Sequence, residues 1–350
     1  MRYVPMNLAE PGMALGQELY DGDGQLLVAR HLILDKDYIK ALGDLGFPGV
    51  YIDDEFTEGI RIQEVVSPEV RREAIRGVRE LFISNAYDED VAEEEARIKK
   101  LVLDVIEDIL SNGDVMYNML DLKVYDDYTY FHSVNVAVLS VMMGSQMCMT
   151  RQELTILATA AILHDIGKKF LSLELLNTPK LLGAKEKQLL LDHPRLGFEF
   201  LKQHFHFPSM VCLSVLEHHE WYNGEGYPLH KAGNDISIYA RIIKLADTVD
   251  AMGSKRPYHE PAQPSEIVEY IMGRMGSEFD PNVVITFLNK IVAYPVGCEV
   301  ELSNGQHAVV MENYSDFVLR PKIKIMETEK VVDLMQDEKA RNITITRVLI

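Results

Sequence analysis

The chain has 350 residues, of which 47% are hydrophobic and 25% are charged, a composition that excludes collagen-like and wholly disordered proteins. Its 54 acidic and 35 basic side chains give a formal net charge of -19, which argues against long nucleic acid as a partner because such binding needs many cationic contacts. A small anionic substrate would need a local positive charge, such as a bound metal ion. The three widely spaced cysteines (Cys148, Cys212 and Cys298) argue against a disulfide framework and favour a reducing compartment.

The N-terminal segment has no continuous apolar region and carries an early proline and glutamate, so we expect no targeting signal. The sequence also contains no run of 18 or more apolar residues. We therefore expect no membrane insertion and a cytoplasmic protein.

Residues 1–66 are predicted to form a small α+β accessory domain. Short apolar runs at 25–28 and 50–52 are separated by turn signals such as DGDGQ. Between the two runs, the segment HLILDKDYIKALGDLGFPG predicts one helix that ends at Gly43 or Gly46. We expect this domain to act as a scaffold or to contact a protein partner.

Residues 67–112 are predicted to form a helical connector. The segment SPEVRREAIRGVRELFISNAY begins with a serine cap and a proline at the first helical position. The segment DEDVAEEEARIKKLVLDVIEDILSNG has an acidic first turn, apolar residues at helical spacing and a glycine stop. A homodimer through these two helices is one role that the pattern allows.

Residues 113–292 are predicted to form successive helices joined by loops rich in Gly, Pro and His. Residues 293–350 change to strand patterns, because CEVELSNGQHAVVMEN places two alternating runs around an Asn-Gly turn. The segments RPKIKIM and NITITRVLI add two further predicted strands. The predicted fold class is therefore mainly α, with a small α+β domain before the helices and a short β-rich extension after them.

Titratable residues end two apolar helical segments. His164 and Asp165 end TILATAAILHD, and His218, His219 and Glu220 end MVCLSVLEHHE. An unpaired charge at such a buried position is costly, and a shared metal site would explain both clusters. Histidine nitrogens with carboxylate oxygens suit Zn, Fe, Mn, Co or Ni.

These residues belong to a longer series of motifs that occur in a fixed order along the chain. The series runs YTYFHSVNVAVLS, HDIGKK, DHPRLGFEFL, HHEWYNGEGYP and RIIKLADTVDAMGSKRPY. It resembles the HD-GYP family of the HD phosphohydrolase superfamily, bacterial phosphodiesterases that degrade cyclic di-GMP, over about residues 113–330. The resemblance implies an HD-type helical catalytic domain that hydrolyses cyclic di-GMP to pGpG, GMP or both, through a hydroxide held between two divalent metals. Iron or manganese is the expected metal.

The resemblance also implies a set of ligands, for two metals about 3.5–4 Å apart. One metal would take His132, His164, Asp165 and Asp247, and the other would take Asp165, His193, His218 and His219. Asp165 would bridge the two metals and act in catalysis. Lys168 follows His164 by four residues, on the same face of a continuing helix, and would contact a phosphate oxygen or the leaving 3′ oxygen.

Gly226, Tyr227 and Arg256 are the further residues expected to bind substrate. Glycine permits close approach of the backbone to a ligand, tyrosine can stack on a guanine, and arginine can contact a phosphate or a guanine edge.

The chain departs from the usual family pattern at three positions. Asn223 replaces an aspartate, His259 follows the RPY segment where a basic residue is common, and Tyr128 stands where members with a third metal have glutamate. A site for two metals is therefore expected.

Two alternative functions stay open. One is a catalytically weak protein that binds a cyclic dinucleotide and signals without turnover. The other is an HD hydrolase of another cyclic dinucleotide, such as cyclic GMP-AMP. None of the seven ligand positions is lost, which favours an active enzyme, and the GYP segment favours a cyclic dinucleotide over a dNTP.

Overall fold

The computed structural model describes residues 1–20, 26–45, 47, 49–54, 65–83, 91–112, 117–118, 128–172, 183–254, 262–314 and 317–349. Helices dominate its centre and strands its two ends, so the predicted fold class is confirmed. Among the described helices, none combines the length and the apolar character that crossing a membrane requires.

The N-terminal module consists of short strands around one helix: β1 (Arg2–Pro5), β2 (Ala14–Leu15), β3 (Leu19–Tyr20), β4 (Leu26–Val28), α1 (Lys36–Asp44) and β5 (Gly49–Asp53). Strand β5 lies between β1 and β2 and pairs antiparallel with both, while β3 pairs with β4. Helix α1 begins where the Asp35 side chain accepts hydrogen bonds from the backbone N–H groups of Asp37 and Tyr38. The module has a small apolar core of its own.

The helical centre follows in chain order: α2 (Pro68–Ile83), α3 (Val91–Ser111), α4 (Tyr128–Gln146), α5 (Arg151–Leu163), α6 (Ala184–Leu191), α7 (His193–His204), α8 (Ser209–Glu217), α9 (Ile238–Gly253), α10 (Pro264–Gly273) and α11 (Pro281–Leu288). A 3₁₀ helix, Ile166–Phe170, follows α5. Helix α4 packs on α5 and α9, and α7 packs on α8.

Helices α2 and α3, expected to form a connector, contribute to the same hydrophobic core as the later helices. Helix α2 packs on α3 and α4, and α3 packs on α5. Their buried faces, including Val78 and Val102, belong to one cluster with residues of α4, α5 and α9. Their apolar stripes are therefore covered within the chain, because an amphipathic helix gains most by burying that face.

Strand β6 (Tyr117–Asn118) pairs in parallel with β7 (Ile291–Val292). The C-terminal extension then contains five further strands: β8 (Glu299–Leu302), β9 (His307–Glu312), β10 (Lys322–Ile325), β11 (Val331–Asp333) and β12 (Ile345–Val348). The last five form an antiparallel sheet in the order β11-β10-β9-β8-β12. The predicted β8–β9 hairpin is confirmed, and β11 is a strand that the sequence analysis did not predict.

The N-terminal module packs on the C-terminal sheet. Tyr3 and Tyr51 are buried in the hydrophobic cluster of the C-terminal strands, and their rings meet edge to face at 5.5 Å. The backbone N–H of Tyr3 donates to the carbonyl of Gly297 at 2.8 Å. The two ends of the chain thus share one core.

Candidate metal centre and active site

The seven predicted metal ligands meet in one cluster at the centre of the helical part. Their positions follow from helix ends: His132 lies in α4, His164 and Asp165 directly follow α5, His193 begins α7, His218 and His219 directly follow α8, and Asp247 lies in α9. All are buried except His219 and Asp247, which are partly exposed.

In each of three groups of three residues, the ligand atoms lie within 4.8 Å of one another. The first group is His132, His164 and Asp247, and the second is His193, His218 and His219; a third, formed by His164, Asp165 and His218, takes one histidine from each of them. In the first, His132 Nε2 lies 3.2 Å from Asp247 Oδ1. In the second, the Nε2 atoms of His193 and His218 are 3.3 Å apart.

Asp165 lies between the two groups. Its Oδ1 is 3.2 Å from His193 Nε2, whereas its Oδ2 is 3.4 Å from His164 Nε2 and 3.8 Å from His132 Nε2. The two oxygens of one carboxylate therefore face different histidine groups, which is the arrangement that a bridging ligand requires.

The donor atoms at this centre fit divalent metal ions. His164 Nε2 and Asp165 Oδ1 are buried and make no hydrogen bond to any described residue. Buried polar atoms without partners are rare and costly, so a ligand is expected to satisfy them. A set of imidazole nitrogens and carboxylate oxygens suits first-row divalent metals.

Three of the histidines are oriented by backbone carbonyls. The Nδ1 atoms of His164, His193 and His218 each lie 2.7 Å from the carbonyl oxygen three residues earlier. A carbonyl can only accept a hydrogen bond, so Nδ1 carries the proton in each ring. The Nε2 lone pair is then directed at the centre, as a metal ligand requires.

His132 is oriented by a carboxylate instead. Its Nδ1 donates to Asp250 Oδ2 at 2.7 Å, and the other Asp250 oxygen accepts from Asn135 Nδ2 at 3.0 Å. Burial lowers the pKa of His132, but hydrogen bonds with Asp247 and Asp250 outweigh that effect and raise it to about 9. Asp250 and Asn135 were not predicted from the sequence. Each lies three residues after a predicted ligand, on the same helical face, and this spacing was the available signal.

The pKa values of two further histidines and of Asp165 are also shifted from their ordinary values. Burial, followed by the neighbouring histidines, holds the pKa values of His218 and His219 well below the ordinary value. Burial acts to raise the pKa of Asp165, but Lys168 and His164 together hold it well below the ordinary value.

Lys168 reaches the centre by a different route from the one predicted. Helix α5 ends at Leu163, and Lys168 lies in the following 3₁₀ helix, three residues after Asp165. Its Nζ forms an ion pair with Asp165 Oδ2. The prediction of a continuing α-helix was wrong because the chain changes to a 3₁₀ helix after His164. This change brings the Lys168 ammonium into contact with Asp165.

The GYP segment lies beside the second histidine group. The Tyr227 ring stacks on His219, with 4.8 Å between centroids and 16° between planes. A Cβ at Gly226 would overlap the backbone nitrogen of Trp221, so only glycine fits there. The buried Glu220 accepts hydrogen bonds from the backbone N–H groups of Leu229 at 2.5 Å and Lys231 at 3.0 Å. This role of Glu220 in fixing the segment after Pro228 was not predicted from the sequence.

Four positions singled out from the sequence remain. Asn223 forms an Asx turn, accepting the N–H of Glu225 at 3.0 Å. Tyr128 begins helix α4. Arg256 and His259 lie outside the described residues.

A sequence profile of the HD domain matches residues 104–283, just over half of the chain. The chain belongs to the HD-domain family. This membership accounts for the buried clusters, since HD-domain proteins bind divalent metal ions, and this chain offers His and Asp groups for them.

Curated relatives share part of this region. The chain is 32% identical over 230 residues to the "Cyclic di-GMP phosphodiesterase PA4108" of Pseudomonas aeruginosa, covering 66% of this chain and 55% of that protein. It is 35% identical over 148 residues to the "Cyclic di-GMP phosphodiesterase response regulator RpfG" of Xanthomonas campestris pv. campestris, covering 42% and 39%. It is 30% identical over 176 residues to the "3'3'-cGAMP-specific phosphodiesterase 2" of Vibrio cholerae, covering 50% and 34%. The chain thus spans between 34% and 55% of the length of these relatives.

Proposed function

We propose that the chain is a metal-dependent phosphodiesterase that hydrolyses cyclic di-GMP to pGpG, GMP or both. The observation that carries the proposal is the position of Asp165, whose two carboxylate oxygens lie near histidines of two different three-residue groups. Paired sites of this kind act on phosphoesters by stabilising both the attacking and the leaving oxygen. The names of the relatives from P. aeruginosa and X. campestris support cyclic di-GMP as the substrate.

The metals, when bound, supply a nucleophile by lowering the pKa of water and offset the charge on the phosphate. We assign His132, His164 and Asp247 to one ion, and His193, His218 and His219 to the other, with Asp165 shared. Iron or manganese is the proposed metal, as the resemblance to the HD-GYP family implies, and nitrogen and oxygen donors without a thiolate suit both.

Lys168 is the proposed cationic group of the reaction. Its side chain is 28% exposed while its ammonium contacts the buried Asp165, so it links the metal ligands to the solvent side of the site. From this position the ammonium can donate to a phosphoryl oxygen or to the leaving 3′ oxygen. That interaction strengthens as negative charge develops, which is the condition for catalysis by electrostatic stabilisation.

Gly226, Tyr227 and Arg256 remain the proposed substrate-binding residues. Because one face of the Tyr227 ring lies on His219, a guanine could stack only on the other face. Burial, followed by the charges of Asp247 and Asp165, raises the pKa of Tyr227. Its phenol therefore keeps its proton and remains able to donate a hydrogen bond.

Cyclic GMP-AMP is the second candidate substrate, since the relative from V. cholerae is named for 3'3'-cGAMP. The two substrates differ in one base, so the metal centre cannot choose between them. A comparison of kcat/KM for both dinucleotides on the same preparation separates the candidates.

The test combines metal content with product analysis. Protein purified without oxygen in Fe(II) or Mn(II) should hold two metals per chain and convert cyclic di-GMP to pGpG or GMP. Asp165→Ala should lose both metals and all turnover, whereas Asp104→Ala, which removes a partly exposed carboxylate on α3, should keep both. Wild-type protein that holds two metals but releases no linear product would contradict the proposed activity, and the catalytically weak alternative would replace it.

A homodimer through residues 67–112 and a protein partner of the N-terminal module also remain proposals. Since the apolar faces of α2 and α3 are buried within the chain, such a dimer would use their polar faces, which carry Arg76 and Lys100.

A further inference from the structure

A chain of hydrogen bonds connects helix α2 with the metal centre. Arg71 Nη1 donates to Asn135 Oδ1 at 2.8 Å. Asn135 Nδ2 donates to Asp250 Oδ1 at 3.0 Å, and Asp250 Oδ2 accepts from His132 Nδ1 at 2.7 Å. Asn135, Asp250 and His132 are all buried, with at most 5% of each residue exposed. Arg71 is the member that lies outside the matched HD domain.

Arg71 determines which atom donates and which accepts in each hydrogen bond of this series. A guanidinium group can only donate, so it selects the oxygen of the Asn135 amide. The amide nitrogen must then point at Asp250, which as a carboxylate can only accept. Asp250 in turn requires a proton on His132 Nδ1, and the Nε2 lone pair is left for the metal.

The orientation of His132 depends on side chains of other helices, whereas the other histidines of the metal centre are oriented by nearby backbone carbonyls. His164, His193 and His218 donate to carbonyls of their own helix or of the preceding turn, which local backbone geometry holds in place. The support of His132 comes from two other helices, because Asp250 lies on α9 and Arg71 on α2. If the Asn135 amide turned over, its oxygen would face Asp250 Oδ1, and two acceptors would repel each other.

We propose that Arg71 is a positioning residue that sets the metal affinity of the first site, formed by His132, His164 and Asp247, and leaves the second site unaffected. Groups that hold a metal ligand through its far nitrogen typically change metal affinity by about 10- to 100-fold when they are removed. The inference rests on the metal centre of the proposed function and does not depend on which substrate is hydrolysed.

The experiment measures Mn(II) affinity in single-site backgrounds. His219→Gln removes a ligand of the second site, so Mn(II) binding to this variant should report mainly on the first site. His132→Gln removes a ligand of the first site, so binding to that variant should report mainly on the second. Adding Arg71→Met should weaken Mn(II) binding by about 10- to 100-fold in the His219→Gln background and leave it unchanged in the His132→Gln background. Arg71→Lys, which retains a cationic donor, should recover most of the affinity.

The control is Arg72→Met. Arg72 is the next residue on α2, and its guanidinium lies over the Tyr20 ring, 4.0 Å from the centroid. This variant should bind Mn(II) as its parent does, and thermal unfolding of each variant checks that the fold is retained.

The outcomes separate this inference from the proposed function. Equal weakening in both backgrounds would mean that Arg71 acts on general stability, and no weakening in either would mean that it does not orient His132. Both results overturn the inference while the two-metal centre stands. Wild-type protein that binds no Mn(II) would overturn the metal centre itself.

Discussion

Two of the proposed metal ligands also complete the helices that carry them. His164 follows the last residue of α5, and its ring donates to the carbonyl of Ala161. His218 follows α8 and donates to Val215 in the same way. The last carbonyls of a helix lack partners within the helix, so each imidazole satisfies a backbone group through Nδ1 and offers Nε2 to a metal. One side chain thus couples the position of the helix end to the position of the metal.

Lys168 gives a kinetic prediction at this scale. We expect Lys168→Ala to lower kcat by about 100- to 1,000-fold with a smaller change in KM, because its charge acts mainly on the transition state. The control is Lys169→Ala, since the Lys169 ammonium lies 4.9 Å from the centroid of the Phe200 ring and has no predicted role in the reaction. Steady-state kinetics at equal metal content provides the measurement. A rise in KM with kcat unchanged would instead make Lys168 a binding residue.

The sequence allowed residues proposed to bind metal directly to be predicted. It was less informative about residues that only orient those ligands. His164 and Asp165 could be assigned because titratable groups at the end of an apolar helix need a reason. Asp250 and Asn135 could not, because their roles depend on which side chain of another helix they face. Arg71 resembled any surface arginine of an amphipathic helix, and the packing of α2 on α4 places its guanidinium at Asn135.

At the scale of elements, the 3₁₀ turn after α5 packs directly on the start of α7. A Cβ at Gly167 would overlap the carbonyl oxygen of His193 and come within 2.7 Å of the Gly197 nitrogen. This contact holds two ligands, Asp165 before the turn and His193 on α7, at their separation. Glycine is required here because two backbones approach each other closely.

We therefore expect Gly167→Ala to destabilise the protein by about 1–3 kcal/mol, the usual cost of forcing extra volume into a packed interior. It should also weaken metal binding at the second site, because α7 moves with His193. Gly273→Ala is the matched control, since a Cβ at Gly273 meets no atom within 4 Å. Chemical denaturation and Mn(II) titration measure the two effects. Equal behaviour of the two variants would show that the contact at Gly167 does not position His193.

Element boundaries could be predicted where the signal is local in the sequence. The acidic start of α3 and the Asn-Gly turn between β8 and β9 were sufficient to place those elements. The role of α2 and α3 was harder to predict, because an apolar stripe does not say which surface covers it. The proposed boundaries at 66, 112 and 292 remain predictions, and the helical core draws residues from both sides of 112.

At the scale of the whole molecule, the first and last parts of the chain stabilise each other. Tyr3 is 2% exposed and packs with Tyr294 and Cys298 in the core of the C-terminal sheet. Arg2 adds ion pairs with Asp54, at 2.6 Å, and with Glu299, at 3.7 Å. The N-terminal module therefore contributes to the core of the C-terminal sheet.

Tyr3→Ala tests this shared core. We expect it to lower the free energy of unfolding by about 3 kcal/mol, as removal of a large buried aromatic ring does. Tyr38→Ala removes the same ring from an exposed position on α1, where 40% of the residue is accessible, and should change stability by less than about 0.5 kcal/mol. Denaturant titration with a fluorescence readout compares them. Equal losses would mean that the contact between the two ends contributes little.

The same contact bears on how the protein would respond to a protease. Because the N-terminal module is held by Tyr3, Tyr51 and the hydrogen bond to Gly297, the peptide chain between residues 54 and 65 is not its sole attachment. A single cut in that interval would leave two fragments that stay together until the protein is denatured. Helix α2 packs on α3 and α4, which lie on the same side of such a cut, so the cleaved protein would keep Arg71 in place beside the metal centre.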